Sequence, residues 1–171
     1  MSLITIIGGS NSNSYLTKNE ANTYFKARLH SDLWSTFESI DVGLQTATRI
    51  LDWNILYPGS IVSSSQALGW PRNNVVDING FYVPNNIIPV EIKNATCELL
   101  YFMIEEDPTT PDDMEGIKKL KIGPLEIVAK DFNTGKIVIP NSVLMALNGM
   151  GTIKSSMDSG FSSSQLRVVR T

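Results

Sequence analysis

Ala21, Tyr24, Phe25 and Leu29 recur at helical spacing. Thr17 followed by Glu20 has capping-box spacing, with Leu16 as the staple residue just outside, so a helix is predicted over about 18–30. Before it, Met1–Ile7 reads as a short apolar strand and Gly8–Ser14 as a loop of turn-forming residues. After it, Ser31–Phe37 is a short amphipathic link carrying Trp34 and Phe37. A second helix is predicted from about Ser39, with Leu44, Ala47, Thr48, Leu51 and Ile55 on one stripe and Asp41, Gln45, Arg49 and Asp52 outside it. Trp34 and Trp53 fall where core residues are expected. Tyr57-Pro58-Gly59 ends this helix.

Residues 58–87 form a long connection containing Gln66-Ala67-Leu68-Gly69-Trp70-Pro71-Arg72 and an Asn79-Gly80 turn signal. Val75–Ile78 and Phe81–Val83 flank that turn, which predicts a small hairpin. A connection of this length is seldom featureless, so it should pack on the body or form a contact, with Trp70 as the anchor. A third helix starts at Pro89 and runs to Glu106-Asp107-Pro108. Ile92, Ala95, Thr96, Leu99 and Met103 make its stripe, and Leu100, Tyr101 and Phe102 widen it, which predicts a central helix. After the acidic loop Glu105–Glu115, a β-hairpin is predicted at about 117–139: Leu120, Ile122, Leu125 and Ile127 around a Gly123-Pro124 break, a turn at Asp131–Gly135, and a second strand at Lys136–Ile139. Ile139-Pro140 opens a last short helix with Val143, Leu144 and Leu147, closed by Asn148-Gly149.

The expected fold class is therefore mainly α: a bundle of about four helices with a small β-hairpin and an extended C-terminal arm. Residues 1–149 are expected to form the helical domain and residues 150–171 the arm. The arm begins with Ser- and Gly-rich, linker-like chain and then carries Phe161 and the strand-like Leu166-Arg167-Val168-Val169-Arg170. Such a strand can complete the sheet edge of a neighbour. The other readings are a disordered tail and a strand paired with Leu3–Ile7 of the same chain. Phe161, Leu166, Arg167, Val168, Val169 and Arg170 are the candidate partner-binding residues.

Composition narrows the classes. The chain has 171 residues, is 42% hydrophobic and only 18% charged, and carries a net charge of −3, with a pI near 5.1. That hydrophobic share supports a real core, and the net charge argues against a dedicated nucleic-acid binder with a basic face. The apolar runs Leu3–Ile7 and Leu99–Ile104 fall far short of the ~20 residues of a membrane span, and no secretory signal or membrane partner is expected. With Cys97 and His30 as the sole cysteine and histidine, neither an internal disulfide nor a Cys- or His-rich metal site can form within one chain.

Candidate chemistry is sparse. His30 reads as a helix-end residue and Cys97 as a buried thiol. The acidic stretch Glu105, Glu106, Asp107, Asp112, Asp113 and Glu115 lacks the alternating ligands of a calcium loop. Gly8-Gly9-Ser10 lacks the Gly-Lys-Ser/Thr ending of a phosphate loop. Trp34, Trp53 and Trp70, with Tyr57 and Tyr82, are the residues available for base stacking, but lysines and arginines are scattered rather than striped. No catalytic residue, cofactor or metal is expected, and the protein is read as a non-enzyme.

A set of motifs carries a resemblance across nearly the whole chain. These are Asn13-Ser14-Tyr15-Leu16-Thr17, Glu20-Ala21-Asn22, Tyr24-Phe25, Trp34, Ala47-Thr48-Arg49, Leu51-Asp52, Gln66 to Arg72, Ile88-Pro89, Gly123-Pro124-Leu125-Glu126, Ile139-Pro140 and the terminal Arg-Val-Val-Arg strand. Together they resemble the tailed-phage DnaT-like single-stranded-DNA-binding protein family, whose members look like head-to-tail adaptors (connectors, or head-completion proteins). The resemblance implies a structural virion protein: a homo-oligomeric, dodecameric ring docked on the portal protein. A downstream neck or tail protein would lie below, and the arm Phe161–Arg170 would grip the portal. Double-stranded genomic DNA would pass through without specific binding, and the acidic pI would suit a conduit that repels phosphates. The expected location is the virion neck between capsid and tail, with the host cytoplasm during assembly. Two rivals remain: a single-stranded-DNA-binding (DnaT-like) replication protein, and a small cation-dependent enzyme built on the acidic loop.

Overall fold

The computed structural model describes residues 2–105, 119–122, 125–128 and 139–154. It is mainly α, with small two-stranded antiparallel β elements. The helices are α1 (Lys18–Lys26), α2 (Asp32–Thr36), α3 (Ile40–Asn54), α4 (Val90–Glu105) and α5 (Asn141–Leu147).

Helix α1 begins as its capping box dictates. The Thr17 hydroxyl accepts the Glu20 N–H at 3.3 Å, and the Glu20 carboxylate accepts the Thr17 N–H at 2.7 Å. It ends at Lys26, four residues earlier than the periodicity suggests. Arg28 leaves the helix to reach Glu98, and His30 takes a left-handed backbone. The amphipathic link is itself the short helix α2.

Helix α4 is the hub: α3 and α5 lie along it, and α1 and α2 touch it. Ile92, Ala95, Leu99 and Leu100 are fully enclosed, and each buried leucine contributes about 2 kcal/mol. The Thr96 hydroxyl, buried among them, donates to the Ile92 carbonyl at 2.8 Å, so no polar group is orphaned there. Helix α5 follows Pro140 and stops where Asn148 turns left-handed (φ 44°), the expected Asn-Gly closure.

The connection 58–87 packs on the body. β2 (Ser60–Ile61) pairs with β3 (Arg72–Asn73). The Arg72 guanidinium donates to the carbonyls of Pro58 (2.6 Å), Gly59 (2.8 Å) and Gly69 (3.1 Å), tying both ends of the loop together. Trp70 is buried and meets Tyr57 edge-on with centroids 6.0 Å apart, so it is the anchor expected of it. The small hairpin forms around Asn79-Gly80 as a single bridge, Val76 to Tyr82.

Three expectations change. The Met1–Ile7 strand is absent among the described residues. Asn13 takes the place of a partner strand: Ile4 N–H donates to Asn13 Oδ1 at 2.8 Å, and Asn13 N–H donates to the Ile4 carbonyl at 2.9 Å. The second hairpin is tighter than expected. β4 (Lys119–Ile122) pairs with β5 (Leu125–Val128) in a register that sets Ile122 against Leu125, so both strands lie within the stretch expected to supply only the first strand. The expected turn at 131–135 and most of the expected strand at 136–139 lie outside the described residues. Finally, the first residues assigned to the arm belong to the body. Met150 is buried, and β6 (Thr152–Ile153) pairs with β1 (Ile55–Leu56). Among the described residues no helix is long and apolar enough to cross a membrane.

Candidate nucleic-acid interface

The last turn of α3 is fixed from inside by Asp52. Its carboxylate accepts the Tyr15 hydroxyl and, at 3.0 Å, the Gly69 N–H. Burial pushes this carboxyl above its ordinary range, and those donors hold part of the rise back. Three separate pieces of chain, the 12–17 loop, α3 and the Trp70 loop, thus meet on one side chain. From outside, the Lys154 ammonium donates to the Asp52 carbonyl at 2.7 Å, and Lys154 N–H donates to the Asn54 carbonyl at 2.7 Å. A cation at this end also offsets the negative pole of the helix.

Trp53, the next residue, points the other way. It is 61% exposed, and the Arg49 guanidinium carbon lies 5.3 Å from its ring centroid. Trp53 is thus an exposed indole on a hydrogen-bonded turn, with Arg49 one turn back and Lys154 bonded to the backbone carbonyls of Asp52 and Asn54 on either side of it in sequence. Leu56 and Ile153, on the adjoining β1–β6 pair, are also exposed. An exposed aromatic ring with a guanidinium against it can stack an unpaired base and meet its phosphate.

The expectation that Trp53 belongs to the core is therefore corrected, whereas Trp34 stays inside. Trp34 stacks on Phe25 with centroids 4.0 Å apart, and its Nε1 donates to Asn22 Oδ1 at 3.0 Å. The signal for Trp53 was in the spacing: it sits four residues after Arg49, on the polar stripe. A second exposed aromatic pair, Phe81 and Tyr82, stands at the hairpin after the Asn-Gly turn. The Asp77 carboxylate orders that turn by accepting the N–H groups of Asn79 (2.9 Å) and Phe81 (2.8 Å).

The other polar features are structural. Glu98, on the central helix, is buried and receives Arg28 Nε at 2.8 Å and the Tyr24 hydroxyl at 2.6 Å. Burial alone would raise its carboxyl, but the Arg28 and Tyr24 hydrogen bonds outweigh it and hold the group below its ordinary value. The charge pattern of the sequence did not reveal this ion pair, since Glu98 lies within an apolar run. Burial pushes the Cys97 thiol up to about 12, so it is no nucleophile near neutral pH. No cluster of metal-ligating side chains occurs among the described residues. Of the acidic loop only Glu105 is described. The candidate partner-binding residues Phe161, Leu166, Arg167, Val168, Val169 and Arg170 all lie outside the described residues.

The chain belongs to the family described as "Putative DnaT-like ssDNA binding protein", whose model matches residues 1–171. No curated protein and no solved structure matches it. The family assignment agrees with the sequence resemblance but corrects the role drawn from it. The family is described by single-stranded-DNA binding, not by connection of capsid to tail, so the head-to-tail adaptor reading falls, with its portal, neck and virion attributes. The acidic pI averages over the whole chain and so does not bear on a local site, and Trp53 stands at the surface rather than in the core.

Proposed function

We propose that the protein binds single-stranded DNA through the Arg49–Trp53–Lys154 face, as a binding module with no reaction of its own. The carrying observation is the exposed Trp53 ring with the Arg49 guanidinium against it, on a turn held by the Asp52 carboxylate, where the Asp52 carbonyl binds the Lys154 ammonium. The family description supports the same reading. A flat π-face accepts any base, so recognition is tolerant of sequence. It also requires the base to be unpaired, which favours single strands over duplex.

The cations near Trp53 are few, and the protein carries a net charge of −3. Stacking rather than counterion release therefore supplies most of the affinity, and binding is modest. The test is a fluorescence titration of the full chain with an unlabelled oligothymidylate at low salt, read beside anisotropy of a labelled strand. Saturable binding with tryptophan quenching, and weaker binding of the corresponding duplex, is expected. Absence of binding at low salt, or equal binding of duplex, overturns the reading.

A further inference from the structure

A cleft of about 580 Å³ opens at the start of α4, between the 75–83 hairpin and the chain at Ile7 and Met150. Its rim is unusually apolar for a surface. Tyr82 is 79% exposed, Val90 61% and Ile87 40%, and Ile7 is also exposed. Phe81 and Ile78, on the same hairpin, are exposed beside it. A contiguous patch of this kind marks a docking surface in a soluble domain.

Two features of the cleft specify its occupant. The first is a free strand edge. Val83 N–H donates to the Val75 carbonyl at 2.9 Å, and Asp77 N–H donates to the Phe81 carbonyl at 2.8 Å. Bonds in that arrangement turn the N–H and C=O groups of Val76 and Tyr82 outward, away from each other. The Tyr82 edge borders the cleft, so an added strand finds a donor and an acceptor there. The second feature is charge. The carboxylates of the cleft are Asp77 and Glu91, and its one cation, Lys93, is already paired with Glu20 at 2.5 Å. The cleft therefore selects an apolar strand with positive side chains.

The chain carries such a strand. Leu166-Arg167-Val168-Val169-Arg170 is apolar and strand-forming, holds two arginines and no acid, and follows a Ser- and Gly-containing stretch with Phe161. In extended form Leu166 and Val168 share one side of the strand. Lys154 is bonded to the end of α3, and the 12 residues from there to Leu166 span up to about 40 Å, enough to leave the body.

We propose that this cleft receives the Leu166–Arg170 strand of a second copy of the chain, adding it to the Tyr82 edge with Leu166, Val168 and Arg170 on the side that faces the cleft and Arg170 meeting its carboxylates, Asp77 and Glu91. A second copy fits better than the chain's own tail. One strand brings two or three apolar side chains, whereas the exposed patch runs from Ile7 across the hairpin to Val90; only a neighbouring body covers the remainder. Because strand and cleft are different surfaces, the contact is heterologous, and each copy offers both halves. The inference is independent of DNA binding, which uses the far side of α3's last turn.

The test uses full-length chains and light scattering without DNA. One variant is Leu166→Asp with Val168→Asp; the other is Val90→Lys with Glu91→Lys, at exposed or half-buried positions where the helix tolerates lysine. Circular dichroism checks that both fold. The unaltered chain is expected to assemble beyond a monomer with concentration. Each variant alone is expected to be monomeric, and an equimolar mixture to form a one-to-one pair, since it holds one intact strand and one intact cleft. A monomeric unaltered chain, a variant that keeps the original assembly, or a mixture that stays monomeric (the result of docking within one chain) overturns the proposal.

Discussion

The Arg49 guanidinium stands 5.3 Å from the centroid of the exposed Trp53 ring, one helical turn away on α3. If that pair is the stacking platform, Trp53→Ala should weaken oligothymidylate binding by about 1–3 kcal/mol, roughly 5- to 150-fold. Trp53→Phe should lose less, because a smaller ring still offers a face. Arg49→Ala should cost about 0.5–1 kcal/mol on its own and little more when Trp53 is already absent. Trp53 makes no core contact, so the unfolding midpoint should move by less than about 0.5 kcal/mol equivalents. Unchanged affinity in Trp53→Ala would remove this face from the model.

Salt distinguishes a stacking site from an electrostatic one. With Arg49 and Lys154 as the cations on this turn, the logarithm of the binding constant should fall with the logarithm of salt at a slope of about −1.4, the value for two single-strand phosphates. A slope several times steeper would mean that a basic surface elsewhere does the binding. The measurement is the same titration repeated across a series of chloride concentrations.

The Arg28–Glu98–Tyr24 cluster makes a prediction about acid stability. Glu98 titrates below its ordinary value in the folded state, so its stabilisation is fully present above that ordinary value. It is lost as pH falls from that ordinary value through the lower folded one. Asp52 has the opposite sign: its carboxyl is raised, so the fold loses stability as pH rises from the ordinary value to the raised one. Glu98→Gln should therefore be less stable at neutral pH, by about 2 kcal/mol given the partial exposure of Arg28, and should show a flatter loss toward acid. Urea unfolding across pH 3–7 reads both effects. Parallel acid profiles for the two proteins would show that Glu98 does not govern the acid limb.

How much of this was legible beforehand differs by residue. Thr17 with Glu20, and Asn148 with Gly149, are local signals whose chemistry is complete within a few residues, and they set helix ends correctly. The apolar run Leu99–Tyr101 similarly marked the central helix. Glu98 and Asp52 were not legible as a buried pair partner and a half-buried anchor. Their partners, Arg28 and Tyr15, are 70 and 37 residues away, and periodicity carries no information at that range. Trp53 failed for another reason: hydrophobicity suggested burial, while its position four residues from Arg49 suggested the surface, and position decided. The strand expected at Met1–Ile7 failed because the Asn13 side chain supplies the hydrogen bonds that a neighbouring strand otherwise would.

Two glycines in the long connection separate steric from conformational cost. Gly59 has φ +70°, and a Cβ there would lie 2.1 Å from the Asn73 carbonyl oxygen and 2.9 Å from Val75 Cγ2. Asn73 is the β3 partner of Ser60, and the Gly59 carbonyl also accepts Arg72, so the methyl cannot be admitted without parting β2 from β3. Gly80 has φ +88° in the Asn-Gly turn, and a Cβ there meets nothing within 4 Å. Both alanine variants suffer the left-handed backbone penalty, about 1 kcal/mol. Gly59→Ala adds overpacking against backbone, for a total of about 2–4 kcal/mol. Urea unfolding should thus rank Gly59→Ala well below Gly80→Ala, with Gly80→Ala close to 1 kcal/mol from the unaltered protein. Equal losses would mean that the β2–β3 contact opens freely. The anchored loop would then not be what holds Gly69 against Asp52, nor what keeps the Trp53 turn rigid.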